Sequence, residues 1–558
     1  MDNEISVLEI LKSYDQISDI KQLCDDIFMF TLFDKIFVLF CPEKDSRSDR
    51  PLIYLYNDDA LDYPHIMLRE EVIKQEGPLP VGTYRFVCLY EHESIVNSII
   101  PYEEKIVDSI DRLIELLSLS KTEQEKEFHK EFLFYWNTSS KSKLHTIFIN
   151  QEGSFSRLEM FASKSEVRLI EQNLTLSDIN DRDKDERKWI QHVETEAYYI
   201  PITDAREILP PHRGFEWSVD TVKEAIYGRQ IDHIGIASLD RLKQQQSSAQ
   251  SIILVFGMKA DGVPVCYAVK LTCKSSGAKS LFDKICDDAF AVECLYTKRK
   301  DYLYLSEMIG NDIGLLEKKV LIIGCGSLGS YITWELAKNG AKTIKVYDGE
   351  TLVDENTLRW AYSGLGVGVN KASHIEMMLH FLHPQVQVLS DVKNIDEKSL
   401  KEELSIADMI ICTIGSSDTQ LRLNRILMES GCKVPVFFAW LEAGGQYSHI
   451  LSVDYSRPGC FECLYTDDNG NLVNNRANKN TEDQAAQGII RNGCGGTRAA
   501  YGTAILLRTT AALLETIKRS NSTIKERNYL LDISPEAVTE SDAVFPIGAC
   551  NCCGDKHT

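Results

Sequence analysis

Residues 319–348, KVLIIGCGSLGSYITWELAKNGAKTIKVYD, constrain the fold of this chain more than any other stretch. The aliphatic run VLII has no polar face, so it reads as a strand covered on both sides, the position of a parallel strand between layers of helices. Gly324, Gly326 and Gly329 follow at the spacing G-x-G-x-x-G, and beyond them the apolar residues recur at helical period. A second strand, KTIKVYD, completes a βαβ unit that ends on Asp348. Residues without a β-carbon let the backbone approach phosphate oxygens, and the helix N-terminus aims free N–H groups at the anion. A carboxylate about twenty residues further on can accept hydrogen bonds from ribose hydroxyls. The fingerprint alone fits NAD, ATP, or a tight turn that binds nothing.

The alternation of strand and helix continues through VNKASHIEMMLHFL, VQVLSD, ADMIICTIG, LRLNRILMESG and VPVFFAWLEAG. It predicts an α/β domain over 310–558, with a mostly parallel, doubly wound sheet covered on both faces. At 558 residues the chain is too long for one core. Roughly 150 residues per domain gives about three. Residues 144–309 carry strand-like runs (HTIFIN, SIILVFGM, VPVCYAVKL) and the helical segment SVDTVKEAIYG, so they read as an α/β middle region, a linker or an inactive adenylation-like half. Residues 1–143 form the remaining, α+β, domain. The stretch 178–189, DINDRDKDERKW, reads as an exposed face or linker.

The residues after Asp348 separate the two cofactors. Asn356, Arg359 and Lys371 fall within DGETLVDENTLRWAYSGLGVGVNKA. A dehydrogenase has little use for an arginine and a lysine there, whereas splitting a nucleotide needs cations against the departing pyrophosphate. In these motifs residues 310–553 resemble the ThiF/MoeB/ubiquitin-activating superfamily. The resemblance implies ATP and Mg2+ as cofactors, with Gly324, Gly326 and Gly329 cradling phosphates and Asp348 holding ribose. Asn356 and catalytic Arg359 then contact phosphates, and catalytic Lys371 neutralises the α-phosphate region. The family's magnesium-binding aspartate has a displaced counterpart here: in CTIGSSDTQLRLN, Asp418 lies one position nearer Arg422 than the pattern expects. It is the candidate magnesium ligand, and a helix cap is its other reading.

Sixteen cysteines on a long chain without a secretory leader point to thiols in a reducing, cytoplasmic setting. Cys460 with Cys463, and Cys550 with Cys553, form two C-x-x-C pairs that suit a tetrahedral Zn2+. Cys552 is an alternative ligand, and a redox pair is the competing reading. Cys494, in NGCGGTRAAYGTAILL, stands at the start of a long apolar helix after a polar stretch that would supply a loop. A helix N-terminus favours a thiolate and the flanking glycines leave room for an acyl group. The family places its thioester-forming cysteine at this junction; a packed structural cysteine is the alternative.

The order PLIYLYNDD, YPHIMLREE, GTYRFVCLYEHES, a charged helix from about residue 103, and EFLFYW resembles bacterial ubiquitin-conjugating-like domains. It implies Cys88 as acceptor cysteine, with Pro64 and His65 as possible contributors; a buried strand cysteine in an inert fold is the alternative. Together the two halves resemble fused activating-and-conjugating proteins of bacterial anti-phage operons. That implies as partners the C-terminal tail of a ubiquitin-like protein or cyclic-nucleotide synthase, a target amine and, by analogy, a second copy in a homodimer. Sulfur-carrier activation and a non-catalytic nucleotide-binding scaffold are the alternatives. A net charge of −22 repels phosphate backbones and argues against nucleic acid, and the apolar runs are too short for a membrane span.

Overall fold

The computed structural model describes residues 6–554 except 44–48, 59–62, 67–70, 74–76, 91–99, 150–151, 173–189, 192–193, 207, 213–214, 228–231, 311–313, 316–317, 363, 384–385, 492–496, 523–526, 544 and 547. The charged stretch 178–189 therefore lies outside the described residues. These residues fall into two compact units, one ending at Arg299 and one beginning at Lys300.

The first unit holds two sheets. Strands β1 (Ile17–Cys24), β2 (Ile27–Leu32), β3 (Lys35–Phe40), β4 (Leu52–Tyr56), β5 (Glu71–Ile73) and β6 (Gly82–Val87) form an antiparallel sheet in the order β1-β2-β3-β4-β6-β5. Helix α1 (Val7–Lys12) starts at a Ser6–Glu9 capping box. Helix α2 (Tyr102–Leu117) repeats apolar residues at helical spacing and buries Ile106, Ile110 and Leu113 in the core of this sheet with Phe30, Phe37 and Leu55. Ser120 and Glu123 cap α3 (Lys121–Lys130) in the same way as α1. In α4 (Phe132–Ser139), Phe132 and Trp136 turn into the core of the second sheet, where the Trp136 indole donates to the Leu295 carbonyl at 2.9 Å.

That second sheet contains β7 (Leu144–Phe148), β8 (Ser156–Ala162), β9 (Glu166–Glu171), β10 (Ile190–Gln191), β11 (Thr195–Pro201), β13 (Ser251–Ala260), β14 (Val263–Cys273) and β16 (Ala289–Arg299), in the mixed order β10-β8-β11-β13-β14-β16-β7-β9. A ribbon of β12 (Gln246–Ser247) and β15 (Lys279–Ser280) lies apart from it. Helices α5 (Val219–Tyr227), α6 (His233–Gln244) and α7 (Leu281–Asp283) bury Val222, Leu242 and Leu281 in the same core.

The second unit is a mixed α/β fold. After α8 (Tyr302–Met308), it contains β17 (Lys319–Ile323), α9 (Ser327–Lys338), β18 (Thr343–Tyr347), α10 (Lys371–Leu382), β19 (Gln387–Asp391), α11 (Glu397–Glu403), β20 (Met409–Cys412), α12 (Ser417–Glu429) and β21 (Val436–Leu441). Strands β19-β18-β17-β20-β21 are parallel. They are extended antiparallel by β22 (Ser448–Val453), β25 (Tyr529–Ile533) and β26 (Val538–Glu540). A small ribbon, β23 (Ile489–Arg491) with β24 (Thr497–Ala499), follows α13 (Glu482–Gln487) and precedes α14 (Thr503–Ser522). Leu336, Ile375 and Leu513 cover one face of the sheet, and Leu400, Leu423 and Leu427 the other. Both faces are therefore dry, as the continuous aliphatic runs require. No helix among the described residues is long and apolar enough to cross a membrane.

Candidate nucleotide site and cysteine centres

The glycine turn sits at the carboxyl end of β17, where ligands of parallel sheets bind. Gly324 has φ +97°, a left-handed conformation that favours glycine, and Thr413 Oγ1, beyond the end of β20, donates to its carbonyl at 2.7 Å. A β-carbon on Gly329 would lie 2.1 Å from that same carbonyl oxygen, so α9 can approach the strand only with glycine there. Gly326 differs. It is the N-cap of α9, and among the described residues nothing beyond its chain neighbours lies within 4 Å of where its β-carbon would be. Its missing side chain leaves an open face beneath a helix N-terminus, the opening that a phosphate requires.

Asp348 follows β18 and is buried; its Oδ2 accepts from the Cys325 N–H at 2.6 Å and its Oδ1 from the Glu350 N–H at 2.7 Å. Burial raises its pKa, against the pull of those two N–H groups and of Lys371. Lys371, the first residue of α10, is buried and ion-paired with Glu350. Arg359 ends a 3-10 turn, Asp354–Arg359, that also carries half-buried Asn356. The Arg359 guanidinium lies over the Tyr501 ring at 4.6 Å, and its Nη1 donates to the Ala499 carbonyl at 2.7 Å. Asp348 and Lys371 thus meet at one end of the sheet, with Lys371 acting on the Asp348 carboxylate, whereas Arg359 is engaged by the β24 segment. Asp418 is exposed in the first turn of α12. The reading of Asp418 as the helix cap does not hold, because the Ser416 side chain accepts from Thr419 N–H and occupies that role. Thr413, Tyr501 and Trp360, whose indole donates to the Cys325 carbonyl at 3.1 Å, had no spacing to announce them in the sequence.

In the same unit Cys460, Cys463, Cys550 and Cys553 are all buried, with their sulfurs within 4.8 Å of one another. Sulfur separations of 3.9 Å (460–463), 3.8 Å (460–550) and 3.4 Å (463–553) are close to the edge of a tetrahedron, about 3.8 Å for metal–sulfur bonds of about 2.3 Å. The donor set therefore fits a four-coordinate metal ion. Cys552 lies outside this group of four and is half-buried; Asn424 Nδ2 donates to it at 3.2 Å and to Cys460 Sγ at 3.4 Å.

Residues 311–542 match the ThiF family. This region is a ThiF-family domain. Over 220 residues the chain is 24% identical to the ATP-dependent ubiquitin transferase-like protein Cap2 of Vibrio cholerae, covering 37% of this chain and 36% of that protein. Over 176 residues it is 23% identical to the sulfur carrier protein ThiS adenylyltransferase of Escherichia coli, covering 30% of this chain and 69% of that protein. The crystal structure of E. coli MccB with MccA shares 19% identity at a TM-score of 0.35, over 44% of this chain and 69% of MccB. The chain spans between 27% and 36% of the length of several curated relatives it matches.

Within the ThiF domain Cys494 belongs to 492–496, outside the described residues. Its flanks are described. Strands β23 and β24 pair with Arg491 opposite Thr497, Arg498 reaches Glu355 at 3.3 Å, and Ala499 meets Arg359. The polar stretch leading there is held at its base: buried Glu442 accepts from the Lys479 and Asn480 N–H groups at 2.8 and 2.9 Å. Glu442 also takes Nε2 of fully buried His449 at 2.7 Å, while Asp532 takes Nδ1 at 2.9 Å. Burial alone lowers the His449 pKa, but the two carboxylates prevail and raise it.

Cys88, in the other unit, is exposed just beyond β6, which removes the reading of it as a buried strand residue. Its N–H donates to the His65 carbonyl at 2.7 Å. His65 has φ +65°, a conformation that L residues rarely adopt. It is held there by the Tyr135 hydroxyl on its N–H (2.7 Å) and by Glu127 and Glu131 on its ring (3.3 and 3.6 Å).

Proposed function

We propose that the ThiF domain binds ATP and adenylates the C-terminus of a protein, and that the acyl group then passes through Cys494 and Cys88 to a target amine. The observation that carries this reading is the open face of Gly326 at the α9 N-terminus, beside buried Asp348 and Lys371. A substrate carboxylate oxygen attacks the α-phosphorus and pyrophosphate departs; Lys371, and Arg359 once turned toward the phosphates, stabilise the charge that builds on it. The Cys494 thiolate attacks the acyl-adenylate carbonyl and AMP leaves. The Cys88 thiolate then takes the acyl group with loss of the Cys494 thiolate, and an amine nitrogen displaces Cys88. Exposure of Cys88, on a backbone fixed by His65, supports its role as the second carrier.

Asp418, exposed and free of the capping role, would hold Mg2+ against the phosphates. The four buried cysteines would hold Zn2+, a structural ion that fastens residues 550–553 to the 460–463 segment. The substrate class is a ubiquitin-like protein or a cyclic-nucleotide synthase with a free C-terminal tail, in keeping with the Cap2 similarity. A cytoplasmic homodimer taking part in anti-phage conjugation completes the reading.

ATP–pyrophosphate exchange that depends on a candidate tail tests the first step. A thiol-sensitive adduct mapped to Cys494 and then to Cys88 tests the relay. The similarity to the ThiS adenylyltransferase supports a second reading, sulfur-carrier activation, which needs the ThiF domain alone. In that case exchange persists with a sulfur-carrier tail, and Cys88 never carries an acyl group.

A further inference from the structure

The segment 88–90 is clamped by side chains drawn from two parts of the first unit, Arg50 and α2. Tyr90 lies between two guanidiniums, Arg50 at 4.1 Å and Arg112 at 4.7 Å from the ring centre. Asp108 of α2 fixes both, accepting from Arg50 Nη1 at 2.7 Å and Arg112 Nε at 3.2 Å. The Tyr90 hydroxyl is tied to Ser109 Oγ at 2.7 Å, and Arg112 Nη1 donates to the Leu89 carbonyl at 3.4 Å. The stack thus sets two positive charges against one carboxylate. The Arg50 side chain is only 8% exposed, whereas that of Arg112 is 42% exposed and contacts the residue next to Cys88.

We infer that Arg112 is a positioning residue for Cys88: held on Tyr90 by Asp108, it fixes the 88–90 backbone and supplies the positive field that favours the Cys88 thiolate, the form that accepts an acyl group. This rests on the reading of Cys88 as an acyl carrier. The reaction it assists is attack of the Cys88 sulfur on an incoming thioester carbonyl. A new sulfur–carbon bond forms, the old one breaks, and the donor cysteine departs as a thiolate, so charge is conserved. The Tyr90 carbonyl accepts from the Cys88 thiol at 3.8 Å, a contact within the same segment that Arg112 holds through the Leu89 carbonyl. Among the described residues, the other charged groups placed at this corner are Arg50 and Asp108 in the stack, and His65 with Glu127 and Glu131, where carboxylates face the ring.

The test is the rate of iodoacetamide alkylation at Cys88, mapped by mass spectrometry on the full chain across pH 6 to 10. Arg112→Gln is expected to slow alkylation at pH 7 at least ~5-fold and to move the profile to higher pH, while Arg112→Lys stays within ~2-fold of the parent because it keeps the charge. Raising salt from about 0.02 to 0.5 M slows the parent and leaves Arg112→Gln unchanged. Superimposable profiles for the parent and Arg112→Gln overturn the inference, as does an Arg112→Lys protein as slow as Arg112→Gln. If Arg112→Gln does not fold, the parent's salt dependence decides, and a flat response overturns it. The assay uses no acyl donor, so its failure is distinct from failure of the relay, which shows instead as absence of a Cys88 thioester.

Discussion

The glycine turn of the ThiF domain and the 88–90 segment of the first unit both lie at the end of a strand and carry the proposed chemistry, but they are built differently. At the turn, the close contacts are between main-chain atoms: Gly324 takes a left-handed φ and Gly329 leaves no room for a β-carbon against the Gly324 carbonyl. At Cys88 the geometry comes largely from distant side chains, Arg50, Asp108, Arg112 and Tyr135, together with the backbone carbonyl of His65. A backbone device tolerates no substitution at its glycines, whereas a side-chain device can be dismantled one group at a time. The two regions therefore break in different ways.

The largest effect is expected at the carriers. Cys88→Ala abolishes transfer to target amines while tail-dependent ATP–pyrophosphate exchange stays at the parent rate; conjugates on a gel from this variant would break the assigned division of labour. Next is Arg359→Ala, or Lys371→Ala, which lowers exchange by about 10²–10³ with little change in melting temperature, the size seen when one preorganised charge donor is removed. Parent-like exchange in both variants would detach these cations from the chemistry.

Smaller effects test the supports. His449→Gln removes the ring that bridges Glu442 and Asp532 and costs about 3 kcal/mol in denaturant unfolding, because two buried carboxylates lose a shared partner. The pH sign follows from the raised pKa of His449. Its contribution is full below the unfolded-state value of a histidine and is lost as pH rises through the elevated folded value. Glu442 and Asp532 have lowered pKa values: burial opposes this, and the bonds to His449 overcome it. Their contributions are full above the unfolded carboxylate range and are lost as pH falls through the depressed values. A stability advantage of the parent over His449→Gln that grows as pH rises through the alkaline range would contradict the raised pKa of His449. Thr413→Val, which takes one hydrogen bond from the Gly324 carbonyl, costs about 1 kcal/mol and sharpens the comparison by measuring how much of the turn depends on a side chain.

The contrast also explains what could be read from the amino-acid order. The βαβ unit, the parallel core and the four-cysteine cluster depend on local spacing and on residue types with few alternatives, so they were legible. The antiparallel extension β22-β25-β26 was not, since its pairing is set by long-range packing rather than by period. Nor was the docking of Arg359 on Ala499 and Tyr501, whose partners lie 140 or more residues away. Cys88 could be picked out by its neighbours, but its exposure, and the clamp of Arg50, Tyr90 and Arg112, arise only when separate elements meet. The Asp418 offset, visible in the sequence, acquired meaning only when Ser416 proved to be the helix cap.

The most direct test of the account is calorimetric titration of the full chain with Mg·ATP and, separately, with NAD, repeated on Gly326→Val. The account predicts saturable binding of ATP with none of NAD, and loss of ATP binding in a Gly326→Val protein that still melts like the parent, since among the described residues nothing beyond its chain neighbours crowds that position. NAD binding in place of ATP, or a Gly326→Val protein that binds ATP as tightly as the parent, would contradict it.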